Sequence, residues 1–255
     1  MSSGGQTSIW FAVLGIVALS NWKNKPWKAG MALGLMAFKP HLVGGLLLLA
    51  ILRGEKSIVA SFGLTLAAVS AVATVIFGAD VWSAFLEGTN LAGKFLGEGY
   101  YPLYRMFSVY ATFRSIGVSP DVALYIQIAM ALVALFTILW ISRHGRSLPE
   151  MQATAILAGL MMTPYAFDYD LSIAVLALLL VAPALARLDW RRYVFLTSLW
   201  WFPPAYSCAI LFGMQFGGAE QDQSHWLSLG APFVLAASFF SIWFARLETG
   251  KSEQR

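Results

Sequence analysis

The sequence predicts an all-α, polytopic membrane helix bundle, and its hydropathy, charge and aromatic content support this prediction. Of the 255 residues, 58% are hydrophobic and only 12% are charged, about half the charged fraction of a soluble domain. The mean hydropathy is +0.67, and ten Trp with nine Tyr suffice for aromatic belts at two membrane interfaces. A water-soluble core cannot bury this much apolar surface, so we expect residues 1–255 to form one membrane domain.

Nine apolar segments are candidates for helices that cross or enter the bilayer. In order they are Ser8–Ser20, Ala29–Phe38, Leu42–Leu52, Ser57–Phe77, Val122–Ser142, Met151–Met162, Leu171–Ala186, Tyr193–Phe212 and Trp226–Phe244. Two neighbouring pairs flank polar breaks, Lys39–His41 and Thr163–Asp170, and we predict that each pair forms a short hairpin. Residues 78–120 are expected to form an extracytoplasmic loop with amphipathic helices, and residues 245–255 a cytoplasmic tail.

The distribution of basic residues favours these hairpins. With nine crossings, 13 of the 17 Lys and Arg residues fall on one side of the membrane, which is then cytoplasmic because basic residues accumulate in cytoplasmic loops. If each broken segment crossed only once, the bias would vanish. Both breaks therefore face outside, and so does the N-terminus. We accordingly expect further helices upstream, encoded either in the same frame or as a separate N-terminal half that acts as a partner.

This topology collects one set of polar residues at the extracytoplasmic side. Ionisable groups near bilayer depth are costly and usually mark a functional site or a buried pair. The set consists of Lys39, His41, Glu98, Tyr100, Tyr101, Tyr104, Arg105, Arg114, Tyr165, Asp168, Tyr169 and Asp170.

The Lys39-Pro40-His41 break is the sharpest feature of this set. Proline breaks a helix because it lacks a donor and clashes with the preceding turn, and Lys39 is the only charged residue between Lys28 and Arg53. A lysine at this position offers a cation to a phosphate oxygen at the lipid–water boundary. The alternative is a lysine that merely snorkels to the interface.

The Thr163–Asp170 break places Asp168 and Asp170 two residues apart beside Tyr165, after a helix-breaking proline. These carboxylates could bind a cation or sugar hydroxyls, or could pair with Lys39 or Arg105. The alternative is an ordinary exposed loop in which Asp170 stabilises the start of the next helix. No catalytic base follows from this pattern.

The segment Tyr100–Arg105 places aromatic residues beside an arginine. Aromatic faces such as that of Tyr101 stack on sugar rings, and the guanidinium of Arg105 can bind phosphate through two hydrogen bonds. The alternative is an interfacial amphipathic helix whose aromatic side chains lie at the headgroup level.

Other classes of site find no support in the sequence. The three histidines are far apart and the single cysteine, Cys208, lies in an apolar segment, so neither a metal site nor a cofactor is predicted. The pattern contains no phosphate-binding glycine loop and no nucleophile elbow. The net charge of +4 is spread over loops between apolar segments, which is typical of a membrane protein and does not indicate nucleic acid.

The stretch Ala29–Leu42, AGMALGLMAFKPHL, follows Gly5-Gln6, a short apolar helix and a basic loop, and it resembles glycosyltransferase family 87. Two further pieces are similar to that family, Ser108–Gly117 and Thr163–Leu171. The resemblance covers most of residues 5–190 and corresponds to the C-terminal part of enzymes with the C-type membrane fold.

The resemblance implies transfer of a hexose, with mannose as the expected sugar, from a polyprenyl-phosphate donor to a glycan or lipid acceptor. Lys39 and Arg105 would bind the donor phosphate, and Tyr101 and Asp168 would line the sugar site, with His41, Tyr165 and Asp170 beside them. The catalytic residue stays unassigned, because these enzymes carry an acidic residue in a first extracytoplasmic loop that this chain lacks. The implied location is a bacterial plasma membrane with the site facing the periplasm.

Two other functions fit the sequence. Broken helices also occur in transporters and flippases, although the two halves of the chain show no inverted repeat and the polar set lies on one face. The missing acidic residue also allows a non-catalytic, truncated paralogue.

Overall fold

The computed structural model describes residues 6–145, 147–216 and 226–253. This part of the chain is all-α and contains no strand; the predicted cytoplasmic charges at Arg146 and Arg255 lie outside it. The α-helices are α1 Gln6–Asn21, α2 Pro26–Leu35, α3 Pro40–Leu52, α4 Lys56–Phe77, α5 Val81–Glu98, α6 Val109–Ser115, α7 Pro120–His144, α8 Leu148–Met161, α9 Ser172–Leu185, α10 Trp190–Phe216 and α11 Gly230–Glu253.

Within the described residues, five helical segments are long and apolar enough to cross a bilayer. They are Lys56–Phe77, Pro120–His144, Asp168–Leu185, Trp190–Phe216 and Gly230–Gly250. The predicted all-helical membrane class is thus confirmed, and the chain is an integral membrane protein. The shorter α1, α2, α3 and α8 are apolar as well, but nine crossings stay a prediction.

The chain reverses direction at the Lys39-Pro40 break. Gly30 in α2 lies against the backbone of Ile58 in α4, and Gly34, one turn later, lies against Thr65. The contacts advance in the same direction along both helices, so α2 and α4 are parallel. Since α3 connects them through two tight turns, α3 must run antiparallel to both, as the hairpin prediction requires.

The second break produces a second reversal at the same end of the bundle. Gly45 in α3 lies against the carbonyl group of Ala155 in α8, while a Cβ atom added to Gly159, nearer the end of α8, would lie 3.9 Å from the carbonyl oxygen of His41. The helices α3 and α8 are therefore antiparallel, and the start of α3 meets the end of α8. Small residues allow the two backbones to approach this closely.

The core of the bundle is built around α8, most of whose residues are buried. This helix packs against α3, α7, α9 and α11. The same apolar core extends to α1 and α2, and its fully buried side chains include Phe11, Trp22, Met36, Leu46 and Leu160. In contrast, Ile58 is the one buried residue of α4. The outer face of α4 therefore faces lipid or another protein.

Residues 78–120 contain two α-helices and a 3-10 helix, and their extracytoplasmic location stays a prediction. The helix α5 and the short α6 flank a 3-10 helix at Leu103–Arg105, and Ser108 caps α6 by accepting a hydrogen bond from the backbone N–H of Ala111. The helix α11 continues into the predicted tail from Ala245 as far as Glu253. In this part of α11, Glu248 lies 3.7 Å from Arg192 of α10.

The end of the bundle opposite the two breaks carries its own polar contacts. The guanidinium of Arg246 in α11 donates to Glu150 at the start of α8. Arg53, at the end of α3, donates across 3.4 Å to the carbonyl oxygen of Ser142 at the end of α7. Both breaks thus lie at one end of the bundle, and the arginine-rich turns lie at the other.

Candidate functional site

Lys39 and Asp170 form an ion pair that joins the two breaks. Lys39 precedes the first turn of α3, where Pro40 occupies the first helical position and needs no hydrogen-bond partner for its nitrogen. The Nζ atom of Lys39 lies 2.8 Å from Oδ1 of Asp170, which is 2% exposed, whereas the lysine side chain is 20% exposed. His41 Nε2 lies 3.7 Å from the other carboxylate oxygen.

The backbone around Asp170 fixes the position of its carboxylate. Residues Asp168–Leu171 form a 3-10 helix that leads into α9. Asp170 Oδ2 accepts a hydrogen bond from the backbone N–H of Phe167 at 3.2 Å, which closes the turn in the manner of a helix cap. The carboxylate therefore serves both its own turn and Lys39.

Arg105 and Asp168 form a second ion pair two residues away. Arg105 donates to Asp168 through Nε and Nη2, each at 2.9 Å, in a bidentate arrangement that aligns both planar groups. The hydrogen bonds from Arg105 to Asp168 are the main cause that raises the pKa of Arg105 above its ordinary value. Arg105 remains 30% exposed, so part of the guanidinium is accessible.

An aromatic row connects the two ion pairs. The ring centroid of Tyr101 lies 6.0 Å from that of Tyr165 and 6.2 Å from that of Phe167, and both contacts are edge to face. Phe167 in turn stacks on Tyr169, with 5.4 Å between the ring centroids. Lys39 Nζ lies 4.5 Å from the centroid of Tyr169, within the range of a cation–π contact. Burial raises the pKa of Tyr165 above its ordinary value.

Backbone and amide contacts hold the loop against the second break. The N–H of Phe107 donates to the carbonyl of Ala166 at 2.9 Å, beside a bridge between Met106 and Phe167. Gln127, which is 1% exposed, accepts from the backbone of Tyr110 and donates to the carbonyl of Met161. Sequence reasoning overlooked Gln127, although a lone amide inside an apolar span is a recognisable signal.

The structure brings all seven candidate residues to one end of the bundle, but Tyr100 and Arg114 of the polar set make contacts of their own. Tyr100 is 72% exposed and packs on Phe95 of α5. Arg114 donates to the carbonyl groups of Val118 and Gly97, which ties its own loop together. Tyr104 is buried and lines a small cavity beside Arg105 and Asp168. The sequence also did not indicate Phe167, which joins the aromatic row and supports Asp170.

The family model for glycosyltransferase family 87 matches residues 3–164. The chain belongs to glycosyltransferase family 87. No curated protein and no solved structure matches it. The matched part of this family 87 protein includes Lys39, Tyr101 and Arg105, whereas Asp168 and Asp170 lie just beyond it.

The geometry suits an anionic, sugar-bearing ligand. Two partly exposed cations flank an aromatic surface, and each is held in place by a carboxylate. Cations at such positions can bind phosphate oxygens, and aromatic faces can pack on a sugar ring. Among the described residues no group of three or more His, Cys, Asp or Glu side chains is arranged to hold a metal ion.

Proposed function

We propose that this family 87 protein moves a hexose, with mannose as the expected sugar, from a polyprenyl-phosphate donor to a glycan or lipid acceptor. The reaction takes place at the extracytoplasmic face of a bacterial plasma membrane. The observation that carries the proposal is the meeting of Lys39 and Arg105, which are 66 residues apart in the chain, at one aromatic row. Family membership supports the transferase class.

Each part of the site has a role in this proposal. Lys39 and Arg105 contact the donor phosphate with the parts of their side chains that stay exposed. Tyr101 and Tyr165 pack on the sugar, and Asp168 keeps Arg105 oriented while it accepts a hydrogen bond from a sugar hydroxyl. Asp170 and His41 position Lys39. No residue is assigned as the catalytic base.

Membrane position supports a lipid-borne donor. Both breaks lie at the ends of apolar helices, so the ion pairs sit where the apolar part of the bundle meets its polar end. A polyprenyl phosphate has the matching shape, with an apolar chain and an anionic head. A transporter site is expected near mid-membrane between broken helices, and the ion pairs of this chain lie at one end.

The first test compares Lys39→Ala with Lys94→Ala in membranes supplied with a polyprenyl-phosphate-mannose donor. Lys94 lies in the exposed helix α5, so its removal controls for a general loss of positive charge. Loss of one charged hydrogen bond predicts a roughly 10- to 100-fold drop in transfer for Lys39→Ala. Transfer by Lys94→Ala should remain unchanged when transfer is normalised to the amount of each protein in the membrane.

A double variant separates phosphate binding from a purely structural ion pair. Lys39→Ala leaves Asp170 buried without its lysine, which alone can destabilise the chain. Lys39→Met with Asp170→Asn removes both charges and should restore protein levels. If this double variant also regains transfer, Lys39 serves only structure and the proposed phosphate contact is wrong. Solute uptake into proteoliposomes without any transfer product would instead identify a transporter.

A further inference from the structure

A large apolar groove lies on a different face of α8 from the one that packs on α3. Its volume is about 570 Å³, and its walls come from α7, α8 and α11. The lining is mostly aliphatic, with Met130 and Ala134 from α7, Leu157 and Ala158 from α8, and Leu235 and Ile242 from α11. A cavity of this size is typical of a binding site for a small molecule or a lipid chain.

The groove changes character along its length. Met161 lines it at the end of α8 near the two breaks, and Arg246 lines it at the opposite end. The apolar stretch between them follows α8 from Thr154 to Met161, about 10 Å at 1.5 Å per residue. Trp243 also lines the groove one turn before Arg246 and is 46% exposed, as expected for a tryptophan at headgroup level.

The guanidinium of Arg246 is oriented by its neighbours before any ligand arrives. It donates to Glu150 through Nε, and its centre lies 4.9 Å from the ring centroid of Trp140. Its Nη2 atom is buried and has no hydrogen-bond partner in the described part of the chain, whereas the side chain as a whole is 27% exposed. Arg246 therefore has hydrogen-bonding capacity that the ion pair does not use.

The surroundings of Arg246 carry an excess of positive charge. Arg143 lies one turn beyond Trp140 on α7. Arg53 donates to the carbonyl oxygen of Ser142, the residue before Arg143. Arg187 lines a neighbouring cavity of about 220 Å³ together with Arg246 and Glu150. These four arginines accompany Glu150, while Glu248, two residues after Arg246, pairs with Arg192 of α10. Positive charge is therefore in excess at this end of the groove, which favours an anionic headgroup over a zwitterionic one.

We infer that the groove between α7, α8 and α11 binds one acyl chain of an anionic phospholipid whose phosphate contacts Arg246. The apolar part of the groove fits the acyl chain, and Trp243 and the oriented guanidinium of Arg246 at its end fit the headgroup. This site lies at the arginine-rich end, opposite Lys39 and Arg105. The inference does not rest on the proposed transferase function.

The test uses the full chain, delipidated in detergent and titrated with phosphatidylglycerol or phosphatidylcholine, with bound lipid counted by native mass spectrometry. Wild-type protein should bind one phosphatidylglycerol roughly tenfold more tightly than phosphatidylcholine, because both lipids carry the phosphate but only phosphatidylcholine adds a cation that the surrounding arginines repel. Arg246→Ala should lose that preference. Arg191→Ala, which removes an exposed arginine at the start of α10, should keep it.

A second variant is needed as a control for misfolding, because Arg246→Ala also removes an ion-pair partner of Glu150. Ala158→Phe fills the groove without changing any charge and should abolish tight binding of phosphatidylglycerol. Ala68→Phe places the same ring on the exposed face of α4 and should have no effect. Equal binding of the two lipids by wild-type protein, or unchanged binding by Ala158→Phe, would overturn the inference.

Discussion

Replacing Gly45 with alanine should destabilise the chain, whereas the same replacement at the neighbouring Gly44 should not. A Cβ atom on Gly45 would collide with the carbonyl group of Ala155 and would lie 3.2 Å from Cα of Gly159. A Cβ atom on Gly44 would meet no heavy atom within 4 Å. The two positions share one helix and one amino-acid type, so the comparison isolates the contact between α3 and α8.

The expected magnitude follows from two opposing contributions. Overpacking a closely packed interface costs about 1–3 kcal/mol. Alanine in place of glycine inside a helix gains up to about 1 kcal/mol from backbone propensity. Gly44→Ala should therefore be neutral or slightly stabilising. The free energies of unfolding of the two variants should differ by about 1–3 kcal/mol, because the propensity gain is common to both.

The assay is unfolding by sodium dodecyl sulfate in mixed micelles, followed by the fluorescence of the ten tryptophans. Gly45→Ala should unfold at a lower detergent fraction than wild type. Since α3 carries His41 and begins directly after Lys39, the variant should also lose glycosyl transfer. If Gly45→Ala proves as stable as Gly44→Ala, the backbone contact between α3 and α8 is wrong, and with it the placement of the first break.

Three further predictions test other parts of the structure. Arg105→Lys keeps the charge but loses the bidentate contact with Asp168; transfer should fall roughly tenfold with the protein level unchanged, and wild-type activity would contradict the role of the paired geometry. Gln127→Leu removes both buried hydrogen bonds and should lower the free energy of unfolding by about 1–3 kcal/mol; an unchanged detergent midpoint would refute this. In a Cys208→Ser background, an impermeant maleimide added to intact cells should label cysteine at Glu98, beside the break end, but not at Arg191, and the reverse pattern would end the assignment of sides.

The reversals at the two breaks were predictable because charge marks the ends of membrane helices. Lys39 stands alone between Lys28 and Arg53, and only a hairpin places it opposite those two residues. The structure makes this reversal through Pro40, which starts α3. Pairing of the aspartates with Lys39 or Arg105 was one of several open alternatives, and the contacts now show which aspartate takes which cation.

Other features depend on contacts between distant segments and leave little trace in local sequence. The sequence predicts only a polar cytoplasmic tail after Phe244, yet α11 continues as far as Glu253, and Glu248 lies 3.7 Å from Arg192. Phe167 reads as one more aromatic residue in a loop, because its backbone contact with Asp170 and its stacking on Tyr169 form only when the 3-10 turn closes.

The pairing of charges explains how four ionised side chains can lie at the ends of apolar helices. Each isolated charge would pay a large desolvation cost, which only a close partner of opposite sign offsets. Lys39 with Asp170, and Arg105 with Asp168, are each neutral as pairs while the cations stay 20% and 30% exposed. An incoming phosphate therefore meets two cations that are already held in position by their carboxylates. Because each ion pair is neutral, the charge of the phosphate is added to a site without net charge. Removing a single partner should consequently harm folding and binding together, whereas removing a whole pair should spare folding and reveal the loss of binding alone.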